Sequence, residues 1–179
     1  MTSLQTLDDA DRRAVAGWAA DCAERVLGLF EAEAPDDTRP REAIARARAY
    51  SAGELDAAGE IKRRFVAGRA AEAATTQAGV SAARAAAQAA AVAHVGSHAL
   101  GAAAYATRAA ALASPDDPSA LDGEVRWQLD RMTDDVRAAL RQLPRLGEDR
   151  SGPLGPGLLA SGMLGEAIRR IQDELGTQE

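Results

Sequence analysis

The sequence predicts an all-α fold: a single-domain, Ala-rich helical bundle of about six to seven helices. Three observations carry that prediction. Ala supplies about a quarter of the 179 residues, and Ala is the best helix former and a poor strand former. Apolar residues recur at spacings of three and four over long segments. Val, Ile, Tyr and Phe never alternate over a strand-length run.

The first helix is expected over Leu7 to Glu33, capped by Thr6 or Asp8, with acids in its first turn to suit the helix dipole. Val15, Trp18, Ala19, Cys22, Val26, Leu29 and Phe30 form its apolar stripe, and Asp21 with Arg25 reads as an ion pair one turn apart. The second helix, Arg39 to Ser51, opens on Pro40 and stops at Gly53. A third is expected over Leu55 to Thr75. It carries Ile61, Phe65 and Val66 on one side and the solvated run Lys62, Arg63, Arg64 on the others, with a break near Thr75 to Gly79. The fourth covers Val80 to His94, with Ser81, Arg84 and Gln88 in a polar line and an Ala face to bury. Gly96 suits a left-handed closing position and Ser97 an N-cap. The fifth helix follows from His98 to Ala113. Ser114 to Ser119 is a turn. The sixth runs Ala120 to Leu143, its stripe Leu121, Val125, Leu129, Met132, Val136, Leu140 and Leu143. Arg145 to Gly157, rich in Gly and Pro, reads as a linker. A last amphipathic helix, Leu158 to Leu175, presents Leu164, Ile168, Ile171 and Leu175. The expected domains are thus 1–144, a linker at 145–157, and 158–179 packing on the domain or on a second copy as a homodimer contact.

A formal net charge of −6 argues against nonspecific nucleic-acid binding, which needs a basic face. The single Cys22 cannot close an internal disulfide and suits a reducing compartment. The first residues are polar and acidic with no apolar core of a signal peptide, and no charge-free apolar run reaches membrane-spanning length. A cytoplasmic protein with no nucleic-acid or membrane partner is expected.

Candidate chemistry centres on His94 and His98, the two His of the chain. On one continuous helix a spacing of four would put both rings on one face, where they could hold a metal. Val95 stands where the zinc-protease motif needs Glu. Ala91 and Val95 stand where a di-iron bundle needs Glu three residues before His. No metal or other cofactor is expected. Gly96 and Ser97 should instead break the helix, so that each partly buried ring meets its own partner among Asp21, Tyr105 and Gln128. Cys22, amid a buried stripe, reads as a small core residue. Asp36, Asp37, Asp116 and Asp117 are loop acids. No catalytic triad, dinucleotide fingerprint or phosphate loop can be placed. Trp127 lies off the stripe of its helix by about half a turn. Either a second layer covers it, the C-terminal segment being the candidate with Tyr50 and Trp18 sharing that layer, or it marks a contact surface.

Three segments resemble a known family. Asp11-Arg12-Arg13 with Trp18-Ala19-Ala20-Asp21-Cys22-Ala23-Glu24-Arg25-Val26-Leu27 resembles the N-terminal signature of the Imm-5-like family of putative immunity proteins. Ala93-His94-Val95 with His98 to Ala106 resembles its central motif, and Arg126-Trp127-Gln128 with Leu143-Pro144 its C-terminal motif. The resemblance spans about Asp11 to Pro144, and the Thr75 to Gln77 stretch departs from it in being more polar. It implies an actinobacterial-type, all-helical, cytoplasmic protein that binds and blocks a cognate toxin of a polymorphic toxin system. Two functions are therefore expected to compete. One is partner-protein binding of immunity type, without catalysis. The other is a small-molecule-binding protein or enzyme of specialised metabolism, with a pocket between the first, fourth, fifth and sixth helices lined by Trp18, Asp21, His94, His98 and Tyr105, with Trp127 as a further binding residue.

Overall fold

The computed structural model describes residues 3–63 and 66–176, the side chains of 61–63 excepted. All regular structure among the described residues is helical, with no strand. The helices are α1 (Asp9–Glu31), α2 (Arg39–Ser51), α3 (Ala57–Arg63), α4 (Gln77–Ala91), α5 (His98–Ala113), α6 (Ala120–Asp130), α7 (Asp134–Arg141) and α8 (Gly162–Gly176), with short 3₁₀ turns at Leu4–Thr6, Gly68–Ala73 and Leu158–Ala160.

The centre of the bundle is α1, α4 and α5, all in mutual contact. Their touching faces are mostly Ala: Ala16, Ala19, Ala20 and Ala23 on α1, Ala82, Ala85, Ala86 and Ala89 on α4, and Ala99, Ala102, Ala103 and Ala106 on α5 are all fully or almost fully buried. Small side chains let helix axes approach closely, and the loss of apolar area per residue is offset by the number of helices each face meets. Larger side chains fill the margins, among them Trp18, Phe30, Tyr50, Leu100, Leu140, Ile168 and Ile171.

Asp8 caps α1, its Oδ1 accepting from the Asp11 N–H at 2.8 Å. At the other end of α1, Glu33 accepts from the backbone N–H and hydroxyl groups of both Thr75 and Thr76. Those bonds favour its ionised form and lower its pKa to about 2. Thr76 in turn accepts from the Gly79 N–H, so α4 starts at Gln77, one turn before Val80. The expected break near Thr75 is this cap. Ser81 is fully buried rather than part of an exposed polar line, because it donates to the Gln77 carbonyl and accepts from Arg108.

Four expectations need correction. The third helix is short and gives way to a 3₁₀ turn. Gly59 and Gly68 lower its helix propensity, and Val66 is 51% exposed, leaving little apolar face to hold it. The expected placements of Ile61, Phe65 and the basic run Lys62 to Arg64 lie outside the described residues. Gly96 does not take a left-handed conformation. It is needed for close approach, since a Cβ there would stand 2.6 Å from Leu7 Cδ1. Ser97 does not cap α5 through its side chain; its hydroxyl donates to Gln5 Oε1 at 3.1 Å. The expected sixth helix is two helices. The Trp18 indole and the Arg137 guanidinium take the Gln128 and Leu129 carbonyls, and Thr133 caps a new start at Asp134. The apolar stripe continues across the break, with Val125, Met132, Val136, Leu140 and Leu143 all buried.

The Gly/Pro-rich stretch 145–157 is bound to the domain, with Leu154 fully buried. Gln5, itself fully buried, is the reason. Its amide nitrogen donates to Asp149 Oδ2 at 2.9 Å and to the Ser151 carbonyl at 2.6 Å, and its Oε1 accepts from the Leu154 N–H at 3.0 Å. Backbone bonds from Gly96 to Thr6 and from Ser97 to Gln5 complete the tie to the α4–α5 junction. Beyond it, α8 lays Leu164, Ala167, Ile168, Ile171 and Leu175 against α5, α6 and α7, which uses its apolar face within the chain.

Gln5→Leu should therefore strand the Ser97 hydroxyl, the Leu154 N–H and the Ser151 carbonyl together, while Asp149 keeps its bonds from Ser151. A loss of about 3 kcal/mol is expected, since each buried orphan costs roughly 1–3 kcal/mol. Urea denaturation measures it; an unchanged midpoint would show that the tie carries no stability.

Candidate functional site

The expected site residues go to different neighbours. Trp18 is 2% exposed and its Nε1 donates to the Gln128 carbonyl at 2.9 Å. Tyr105 is buried, and its hydroxyl accepts from Arg84 Nη1 at 3.3 Å. His98 lies 2.8 Å through Nδ1 from Gln88 Oε1, so with that oxygen as acceptor Nδ1 carries the proton. None of the expected partners Asp21, Tyr105 and Gln128 serves it. His94 is exposed rather than partly buried, because α4 ends at Ala91 and the turn that follows carries the ring outward. Asp21 does not pair with Arg25; it accepts from Arg48 Nη1 at 2.7 Å, reached across from α2. Cys22 is fully buried, and burial pushes its thiol well above the usual range, with Glu124 and Asp21 nearby adding to the shift. It is held as the thiol and is a poor nucleophile. Among the described residues no group of three or more His, Cys, Asp or Glu is placed to hold a metal ion.

Asp21 and Trp127 do meet, in a shallow surface pocket of about 290 Å³ that Glu24, Arg25 and Arg131 complete. Gln128 positions Trp127 from within. Its amide donates to the Ala103 carbonyl at 3.0 Å and to Thr107 Oγ1 at 3.1 Å, while its own carbonyl accepts from Trp18. With Gln128 turned into the core, the preceding residue lies about 100° round the helix, at the edge of the buried face, and Trp127 is half-buried there. The residues that line this pocket with it come from α1 and from the turn after α6, and none comes from the C-terminal segment. Two guanidiniums lie over the indole instead, Arg25 at 4.3 Å and Arg131 at 4.9 Å from the ring centroid. Cations over an aromatic face are held by its quadrupole. Tyr50 serves elsewhere, bonded to Arg12 and Asp9 between α1 and α2.

Arg25 is fixed by a second contact. Its Nε donates at 2.8 Å to Oε2 of Glu124, a residue only 5% exposed. The other carboxylate oxygen, Oε1, is buried with no hydrogen-bond partner among the described residues. Removing Arg25 would leave a buried carboxylate with no counter-charge, a costly state. On the opposite rim Arg48 bridges Asp21 and Glu24 at 2.7 and 2.5 Å. The surface is therefore an indole held between fixed charges. Sequence reasoning singled out Trp127 but missed its setting. The spacing of four between Trp127 and Arg131 was a readable signal; the arrival of Arg25 from α1 had no local one.

The sequence model of a family described as Imm-5 like putative immunity protein matches residues 5–135. The chain belongs to that family. No curated protein and no solved structure matches it. Most residues of the three motifs prove to be scaffold. Arg12 and Arg13 hold the end of α2 through Tyr50, Asp9 and backbone carbonyls. Trp18, Thr107 and Gln128 join α1, α5 and α6. Among the motif residues, Glu24, Arg25, His94 and Arg126 are exposed and Trp127 is half-buried.

Burial lowers the pKa of His98 to about 4, and the nearby His94 adds to the shift. Unfolded, the ring titrates near about 6.5. Below that pH the unfolded chain binds a proton that the native ring refuses. Stability should thus be intact above pH 6.5 and fall as pH drops toward 4, by up to about 3 kcal/mol. His98→Asn, which keeps a donor toward Gln88, should flatten that part of the profile. Denaturation midpoints across pH 4–7 that are identical in slope for both proteins would contradict it.

Proposed function

We propose that the chain is an immunity-type protein that binds a partner protein, a cognate toxin, in the cytoplasm and performs no reaction of its own. The observation that supports this best is the Trp127 surface. Trp and Arg are the residues most enriched at binding hot spots, and large aromatics seldom stand open to solvent without use. Here the indole is backed by a rigid, buried amide network and flanked by two guanidiniums, of which Arg25 is pinned by Glu124. A pre-ordered anchor loses little side-chain entropy on binding. The family adds support through its description as an immunity protein. The groove is shallow, and Cys22 is buried as a thiol, which suits docking more than turnover. No described helix is long and apolar enough to cross a membrane.

The test is growth of cells expressing the toxin encoded beside this chain's gene, with and without the chain. Rescue is expected with the wild type. Trp127→Ala should keep its helical spectrum but weaken binding by about 2–4 kcal/mol, roughly 30-fold or more in Kd. Equal rescue and equal affinity in Trp127→Ala would move the interface elsewhere. Absence of any complex with that toxin would remove the reading itself.

A further inference from the structure

We propose that the Trp127 surface receives a carboxylate side chain of its partner, gripped by Arg131 and Arg25 and set beside an apolar group that lies on the indole. The proposal rests on the partner-binding reading of that surface and adds the partner's local chemistry. Its basis is an imbalance of hydrogen-bonding groups. The acids on the rim, Asp21 and Glu24, are both already bridged by Arg48. Arg25 spends only Nε, on Glu124, and its two Nη groups have no hydrogen bond among the described residues. Arg131 is exposed, and its side chain makes no ion pair or hydrogen bond among the described residues, only its contact with the ring. Arg48 takes one oxygen of each acid and leaves Asp21 Oδ2 and Glu24 Oε1, so the patch offers more unfilled guanidinium donors, on Arg25 and Arg131, than unfilled carboxylate oxygens.

A guanidinium fork matches a carboxylate in two parallel bonds, and a guanidinium already stacked on an indole is pre-ordered for it. A polyanion fits less well, because Asp21 and Glu24 line the same pocket and the whole chain carries −6. That overall charge draws a basic partner at long range. A local demand for one acid within such a partner then fixes its register. The occupant is therefore a segment of a basic protein that places Asp or Glu next to an apolar side chain.

The full-length chain, labelled with ¹⁵N, gives an indole signal for each of its two Trp, and Trp127→Phe assigns them. Blocked five-residue peptides with the central sequences Glu-Phe-Glu, Lys-Phe-Lys and Gln-Phe-Gln are titrated in turn, and inorganic phosphate separately. The Trp127 indole should shift saturably with the Glu peptide alone while that of Trp18 stays. In Arg131→Ala, with its amide spectrum otherwise preserved, the apparent affinity should fall about tenfold or more. No response to the Glu peptide, an equal response to the Lys peptide or to phosphate, or an Arg131→Ala titration unchanged from wild type overturns the proposal. Toxin binding that is lost in Trp127→Ala despite a failed peptide titration would leave the partner reading standing without its carboxylate. Toxin binding indifferent to Trp127→Ala would remove the surface from that reading whatever the peptides do.

Discussion

The buried bond from the Trp18 indole to the Gln128 carbonyl organises more of this molecule than any other single contact. It occupies a carbonyl at the end of α6, and that helix stops within a few residues. The Gln128 side chain then reaches Ala103 and Thr107 on α5, so one residue joins the first, fifth and sixth helices. All of these groups are buried, where an unmade hydrogen bond costs more than a made one gains. The register of α6 is set by that asymmetry. Facing Gln128 inward sets Trp127 about 100° round the helix, at the edge of the buried face, so the placing of the surface proposed for binding follows from a core constraint.

Around this tie the core works with small residues. An Ala face offers little area for burial, but it allows α1, α4 and α5 to lie in close mutual contact. Such a core carries few shape cues of its own, because one Ala layer fits against another in several registers. Specificity has to come from polar ties, and the structure supplies them at the edges. Gln5 fastens the N-terminal turn to the α4–α5 junction and to the stretch before α8, and Glu33 fastens the end of α1 to the start of α4. Arg46 with the buried Glu60 fastens α3 to α2 in the same way.

What was legible in the sequence follows from range. The stripe of α1, Pro40 and Gly53 bounding α2, the span of α5 and the turn at Ser114 to Ser119 are encoded within a few residues and were readable. The division between α6 and α7 was passed over because the apolar period runs unbroken through it; Thr133 followed by Asp134 and Asp135 was a readable cap, whereas the Trp18 bond to the Gln128 carbonyl comes from more than a hundred residues away. The stretch 145–157 has linker composition, yet its anchor is Gln5 at the other end of the chain. The same limit applies to the surface. Trp127 was visible as the aromatic out of phase with its stripe, whereas the expected pairing of Asp21 with Arg25 gave way to longer reaches toward Arg48 and Glu124. His94 and His98 drew attention as the two His of the chain, and the structure separates them into an exposed turn and a half-buried bond to Gln88.

Hydrogen exchange of the Trp18 indole N–H tests the central claim most directly. If the bond to Gln128 holds the three helices in register, that proton should exchange only through global unfolding, with a protection free energy matching the denaturation value. The Trp127 indole should exchange far faster in the same sample. Exchange of the Trp18 proton at the rate of the Trp127 proton would mean that the tie opens locally, and the register of α6 would have to be set by something else.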